Sequence, residues 1–544
     1  MALVKFSRKE FEKHIQINKE IKEKIALLGT PLEKLTDGEV EIEIFPNRPD
    51  LLSLQGYLRA FKSFLGKETG LKEYKINKPG KDYKVAIDDS VKNIRPYTAC
   101  AIVKNIDFTE ERIKEIIELQ EKLHTTIGRN RKRLAIGIYP LEKIKLPIKY
   151  LTKQSEDIKF IPLESTKEMT GSQILKKHPT GRNFAHLLEN TDKYPVFIDS
   201  NNKILSMPPI INSADTGRVT ESTKEVFIEC SGSDKEILKK TLNIIVTTLA
   251  DMGGKIYQME LDYNREIETT PDLKPEKMKI SLEKINNILG LNLKEKELSK
   301  LLSQMGYDYS DNKVSIPAWR TDILHEVDIA EDVAIAYGYD KLIPEMPRSF
   351  SMGEESLSAK LNSKIAEILV GLGIIEISSY HLIKQEEAKL IKLERIIELE
   401  DSKTEYKILR SNLLIPALRI FSENKRNEYP QKIFEIGTVF SHDEKEETGI
   451  KETENLIIAS SPSNFTEIKQ ILDYLFKMLD IQYYLKEITK KELIEGRTAQ
   501  IIMNDKPIGY LGDVHPKTLK DWNIKMPVSI LEISLEEIFN SLKP

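Results

Sequence analysis

Apolar positions recur along this chain with two different periods, and the changes of period mark out its elements. Residues 3–6 read as a short strand. Behind them Phe11, Ile15, Ile21, Ile25 and Leu28 keep to one broad face of a helix that Gly29 stops. Residues 39–46 alternate acidic and apolar side chains, the period-two mark of a half-buried strand. The turn Asn47-Arg48-Pro49-Asp50 follows. Asp50 is placed there to cap a helix carrying Leu51, Leu54, Tyr57, Leu58, Phe61 and Leu65 on one side as far as Gly66. Residues 1–80 are therefore expected to form an α+β unit.

From 81 to 272 the pattern is mixed. Strands at 97–103 and 134–139 flank a helix over 110–127, which Thr109 caps and Gly128 ends. Further strands at 195–199, 204–206 and 226–230 precede a helix running from Asp234 to Met252. Residues 273–346 predict two short helices (281–290 and 294–305), a strand at 313–316 and a third helix at 328–337, a small helical, winged-helix-like unit. Residues 347–544 open with a helix over 357–371. Strands follow near 374–381, 432–440, 456–460, 498–503, 507–512 and 528–533, with helices over 413–425 and 466–479 to cover them. The fold class expected is α+β and multidomain, without internal repeats or low-complexity linkers.

Length and composition support that division. A single hydrophobic core stops growing at roughly 250–300 residues, and this chain has 544. Its 40% apolar and 31% charged residues are those of an ordinary globular protein. The net charge of −4 is nearly balanced, whereas a chain gripping nucleic acid unaided carries a basic excess. If RNA is a partner, another subunit or local patches must supply positive charge. Cys100 and Cys230 are the only cysteines, which excludes a disulfide framework and a cysteine-based zinc site and suits a reducing compartment. No apolar run is long enough for a signal peptide or a bilayer span, so a cytoplasmic protein with no membrane partner is expected.

Candidate chemistry concentrates first in Asp322, Asp328, Glu331 and Asp332. On a helix, residues three and four apart share a face, so the last three converge, and Asp322 precedes them closely enough to fold back. Clustered carboxylates repel unless a cation intervenes, and an all-oxygen set suits Mg²⁺. The competing reading is a helix N-terminus dressed with acids that complement its dipole and face water.

This stretch, with Tyr337-Gly338-Tyr339-Asp340 behind it, resembles the characteristic domain of phenylalanyl-tRNA synthetase β subunits. The resemblance implies that Asp322, Asp328, Glu331 and Asp332 hold Mg²⁺ close to an α subunit. Asn47-Arg48-Pro49-Asp50 and the leucine-rich helix after it are similar to the N-terminal motif of the same family, and residues 66–76 resemble its archaeal/eukaryotic branch. Leu409-Arg410-Ser411-Asn412, Phe434-Glu435-Ile436-Gly437, Gly496-Arg497-Thr498-Ala499 and Gly512-Asp513-Val514-His515-Pro516 resemble its catalytic-like domain, an antiparallel sheet related to class II synthetase cores. That chemistry needs fixed arginines on ATP phosphates, and no glycine-rich strand ending in Arg is present. Arg410 and Arg497 are accordingly expected to make packing or turn contacts. Residues 347–544 are expected to be an inactive class II core, with the aminoacylation site on another chain. The resemblance implies an α2β2 heterotetramer that uses ATP, Mg²⁺ and tRNA(Phe).

Phenylalanine and tyrosine differ by one hydroxyl, which a hydrophobic pocket rejects only about a hundredfold. A second, hydrolytic site for Tyr-tRNA answers that problem. Residues 81–272 resemble the family's editing domain, whose tyrosine-binding positions fall here at Ser206, Asn212, Glu229 and Ser231. Read from the residues alone, these are strand and turn positions facing solvent. His124 is a further candidate, at the edge of that editing site, and precedes the one clear basic knot, in which Arg129, Arg131 and Arg133 are candidates to guide the tRNA 3′ end by phosphate contact. A solvated loop is the plainer account of the same residues. A free-standing Tyr-tRNA deacylase and a non-catalytic RNA-binding scaffold are the alternative functions.

Overall fold

The computed structural model describes residues 2–189, 191–264, 266–346, 351–391, 393 and 395–541, in two compact units, Met1–Met346 and Pro347–Pro544.

In the first unit the alternation in Glu39–Ile44 buries Val40, Ile42 and Ile44. That strand lies between Ala2–Ser7 and Leu32–Leu35 in an antiparallel sheet. The single helix expected behind it is two, Arg8–Glu12 and Lys19–Leu27, because Asn18 caps a new start by accepting from Ile21 N at 2.8 Å. The cap expected of Asp50 is likewise corrected. Arg48 takes that carboxylate in a two-pronged bond, 2.9 Å at each prong, and Ser53 caps the helix Leu54–Phe64 instead. Tyr57, Leu58 and Phe61 of that helix enter the core.

The largest sheet has eleven strands. Its path runs Ile211–Asn212, Ile204–Met207, Lys193–Ile198, Ile148–Gln154, Lys84–Ile87, Lys255–Asp262, Tyr97–Lys104, Glu225–Gly232, Leu134–Pro140. Lys255–Asp262 is its keystone, parallel to Lys84–Ile87 on one side and antiparallel to Tyr97–Lys104 on the other. The helix Lys235–Asp251, capped by Asp234, buries Leu242 to Leu249 against the sheet. The helix Glu110–Thr125, capped by Thr109, packs on Leu134–Pro140. Beyond it, Glu276–Lys279, Lys313–Ile316 and Asp308–Ser310 make a small sheet. Helices Leu282–Leu289, Glu295–Gln304 and Glu326–Tyr337 pack around it, and one apolar cluster runs from Ala2 to Val333.

The second unit is built on seven strands in the order Ile375–Glu376, Gln431–His442, Ile450–Ser461, Ser529–Ser534, Lys506–Val514, Leu493–Met503, Tyr484–Glu487. All neighbours are antiparallel except the first pair. Its two faces are both covered. Leu456 and Ile458 join the helices Leu357–Gly371 and Phe465–Met478, while Ile457 and Ala459 join Leu414–Glu423. The strand expected over 374–381 shrinks to an edge pair, since Ser379 turns to bond Glu435. No helix among the described residues is long and apolar enough to cross a membrane.

Candidate functional site

The open end of the strands Glu225–Gly232 and Leu134–Pro140 borders a cavity of about 610 Å³, closed by the helix Glu110–Thr125 and the segment 208–212. Antiparallel pairing sets Glu229 opposite Gly137 on one neighbour and Cys100 on the other. Gly137 is required there, because a Cβ would sit 2.1 Å from Tyr139 Oη and 2.6 Å from Glu229 Oε1. The Tyr139 hydroxyl consequently lies over the glycine, 3.1 Å from Glu229 Oε1 and 3.4 Å from Asn212 Oδ1. A phenol carries one proton, so it cannot serve both acceptors at once. Glu229 Oε2 is buried without a hydrogen-bond partner.

Burial pushes the Glu229 carboxyl up to about 8, only partly offset by the Tyr139 hydrogen bond and the charge of Arg95. At neutral pH the group is chiefly a neutral acid, able to donate as well as accept. Glu229 and Asn212 reach the cavity wall together. Ser206 pairs with Asn212 across the strand edge and is buried, and Ser231 is fully buried two residues beyond Glu229. Neither serine lines the cavity. The expectation that these residues face solvent fails, since Ser206, Glu229 and Ser231 are all within 1% of complete burial.

His124 lines the same cavity, but both of its nitrogens are engaged. Nε2 accepts from Ile136 N at 2.9 Å, so Nδ1 holds the proton and donates to Glu121 at 3.2 Å. Burial lowers its pKa and keeps the ring neutral. It clasps helix to strand. The basic knot is also less free than its composition suggests. Arg131 donates to Ile210 O (2.8 Å) and Glu121 (2.9 Å) and lies 4.5 Å over Phe184, while Arg133 pairs with Asp234 at 2.8 Å. Only Arg129 of the three is exposed; Arg131 stands on the cavity wall and Arg133 does not.

The four acids do not meet as expected. Among the described residues no three metal-ligating side chains gather. Arg320 is the reason: its Nε and Nη2 hold Asp322 at 2.8 and 2.7 Å, and Nη2 also reaches Asp332 at 2.8 Å. Tyr307 donates to the same Asp332 oxygen. Asp328 Oδ2 caps its own helix, accepting from Leu324 N and His325 N at 2.8 and 2.7 Å, and Glu331 points outward, exposed. Two acids are thus neutralised inside and one serves the backbone. The arrangement does not fit a four-carboxylate magnesium cradle.

Arg410, expected to pack rather than bind phosphate, is buried. It donates to Glu435 (2.7 Å), Ser379 (2.8 Å) and Thr438 O (2.8 Å), beside Gly437, where a Cβ would come within 2.3 Å of Nη2. Arg497 is exposed, 3.6 Å from Asp513. Sequence reasoning passed over Tyr139, Gly137 and Arg320 as functional residues. The signal available was a tyrosine and a glycine sharing one face, two apart, of an otherwise aliphatic strand.

The chain matches the models for the B3/4 domain over residues 85–250, the tRNA synthetase B5 domain over 278–339 and the phenylalanyl tRNA synthetase beta chain CLM domain over 343–535. The phenylalanine–tRNA ligase beta subunit of Archaeoglobus fulgidus is 36% identical to it, covering 95% of each chain. That of Pyrococcus abyssi is 38% identical, over 91% of this chain and 90% of its own. A crystal structure of an N-terminal fragment of the phenylalanyl-tRNA synthetase beta subunit from Pyrococcus horikoshii superposes with a TM-score of 0.59 at 38% identity. It covers 62% of this chain and 99% of the fragment.

Proposed function

Because this chain belongs to the phenylalanine–tRNA ligase β-subunit family, we propose that its own chemistry is hydrolytic, removing tyrosine from mischarged tRNA, while an α partner joins phenylalanine to tRNA(Phe). The observation that carries this reading is the cavity bearing Glu229 and Asn212 with a single phenolic proton between them. Its volume of about 610 Å³ is in the range that accepts an aromatic side chain and the ribose it is esterified to. A tyrosyl hydroxyl entering beside Tyr139 supplies the hydrogen bond that Glu229 Oε2 or Asn212 Oδ1 lacks. A phenylalanyl ring covers those groups and leaves them unpaired, at a cost of about 1–3 kcal/mol, or roughly 10- to 100-fold in selectivity.

For aminoacylation this chain is the supporting member, and ATP and tRNA(Phe) are substrates of the complex, proposed as α2β2. The buried Arg410–Glu435 pair supports catalytic silence of the second unit, since that arginine is committed to Glu435, Ser379 and Thr438 O inside the fold. Mg²⁺ is proposed for the assembled ligase and not for the free chain: Glu331 and Asp328 Oδ1 remain available, but Asp322 and Asp332 belong to Arg320. A free-standing deacylase would leave the seven-stranded unit without a task.

The test is deacylation of Tyr-tRNA and Phe-tRNA by the complex carrying wild-type or Glu229→Ala chains. Loss of about 10-fold or more on Tyr-tRNA is expected; equal rates would remove Glu229 from the site.

A further inference from the structure

A second cavity, of about 210 Å³, opens where the helix Leu54–Phe64, the segment 68–72 and the segment 317–320 meet. Nothing in the hydrolytic reading uses it. Arg48, Arg59, Lys72 and Arg320 all stand on its wall. The three guanidinium side chains are only 12%, 8% and 3% exposed. Each is fixed along one edge by a carboxylate: Arg48 by Asp50, Arg320 by Asp322 and Asp332, and Arg59 through Nη1 by Asp251 at 2.8 Å. Tyr74 Oη accepts from the same Arg59 nitrogen, also at 2.8 Å.

The other edges are different. Arg48 and Arg320 use only Nε and Nη2 in these bonds, leaving Nη1 of each without an acceptor among the described residues. Arg59 Nη2 is buried with no acceptor at all. Arg59 also lies 4.4 Å over the Trp319 ring, which holds its plane in place. Arg48 and Arg320 are close enough for their charges to repel. Of the acids on the wall, Asp50 is already taken by Arg48, and Glu68 turns outward to Lys62. Three arginines held in place by carboxylates, each with an N–H group left unpaired on the wall of one small space, are what a phosphate or carboxylate group needs, because such groups accept several charge-assisted hydrogen bonds at once. The volume is below the 300–1,000 Å³ usual for drug-sized ligands or cofactors, so the occupant is small.

We propose that this cavity is an oxyanion-binding site, taking a small phosphate- or carboxylate-bearing molecule through the unpaired edges of Arg48, Arg59 and Arg320, with Lys72 at its mouth. The anion would bridge the N-terminal segment and the small helical segment and stabilise both by mass action. The test is calorimetric titration of the full chain with sodium phosphate and, separately, sodium malonate, at constant ionic strength made up with chloride. One-site binding of phosphate alone assigns a phosphoryl ligand, of malonate alone a carboxylate ligand, and of both the shared chemistry.

Arg59→Lys keeps the charge but loses the fork, and should weaken binding at least tenfold. Lys72→Ala, at a side chain 45% exposed whose Nζ ion-pairs with Asp251 at 2.8 Å, should weaken it severalfold, and the anion-free melting curve recorded beside it separates lost affinity from lost stability. Absence of saturable binding to either anion by the folded wild-type chain overturns the proposal, as does wild-type affinity in both variants.

Discussion

Replacing Glu229 by glutamine exchanges a carboxyl group for an amide of the same shape at a site where protonation is tied to stability. In the folded chain, burial holds the Glu229 pKa at about 8, against 4.5 in the unfolded chain. Between those values the folded state keeps a proton that the unfolded state has released, so stability falls as pH rises through the window. Each pH unit costs about 1.4 kcal/mol. The group is fully buried, so solvent screening does not reduce the effect. Across the window the loss approaches roughly 5 kcal/mol, and from pH 6 to pH 8 it is about 2 kcal/mol.

The substituted amide has no proton to lose. Its oxygen can still accept from Tyr139, and its N–H₂ stands where the neutral acid would present its proton. The assay is thermal unfolding of wild-type and Glu229→Gln chains at half-unit steps from pH 6 to 8.5. The variant should gain on the wild type as pH rises, by a Tm difference on the order of 5–10 °C for a domain of 150–250 residues. Parallel Tm curves across that range would mean that Glu229 is ionised in the folded chain, and the neutral-acid account of the cavity would be wrong.

Other consequences are simpler to read. Tyr139→Phe removes the phenolic donor that Glu229 and Asn212 share and should cost about 1–2 kcal/mol in urea unfolding. Gly137→Ala forces a methyl against Tyr139 Oη; Tyr-tRNA deacylation by the complex should collapse while its aminoacylation persists. Arg320→Met leaves Asp322 and Asp332 buried without a cation and should destabilise the chain by about 3–5 kcal/mol. A divalent chelator should leave the wild-type chain's Tm unchanged, and a marked fall would return a metal to those acids.

Patterns set by neighbours in sequence were legible, and those set by distant partners were not. The strand Glu39–Ile44 and the helix Leu357–Gly371 could be read directly, since one alternates and the other keeps an apolar stripe. Lys255–Asp262 could not, because a strand flanked on both sides buries Ile256, Met259 and Leu261 at irregular spacing. Asn18 broke an apolar stripe whose two halves share one core, so the break left no trace in the periodicity. At the sites, spacing along a helix placed Asp328, Glu331 and Asp332 but said nothing of a guanidinium arriving from Arg320. Glu229 and Asn212 were found through family resemblance, whereas Tyr139 depends on a register between strands that no local pattern states.

The keystone strand also has a consequence in time. A ribosome finishes Tyr97–Lys104 at residue 104 and begins Lys255–Asp262 at 255, 151 residues later (255 − 104). At elongation rates of about 5–20 residues per second that is a wait of roughly 8–30 s. Throughout it the nascent edges of Lys84–Ile87 and Tyr97–Lys104 stand bare, open to pairing with another chain. Messages cut short between codons 104 and 255 should therefore yield aggregating fragments, and chaperones should be found on polysomes carrying chains of that length.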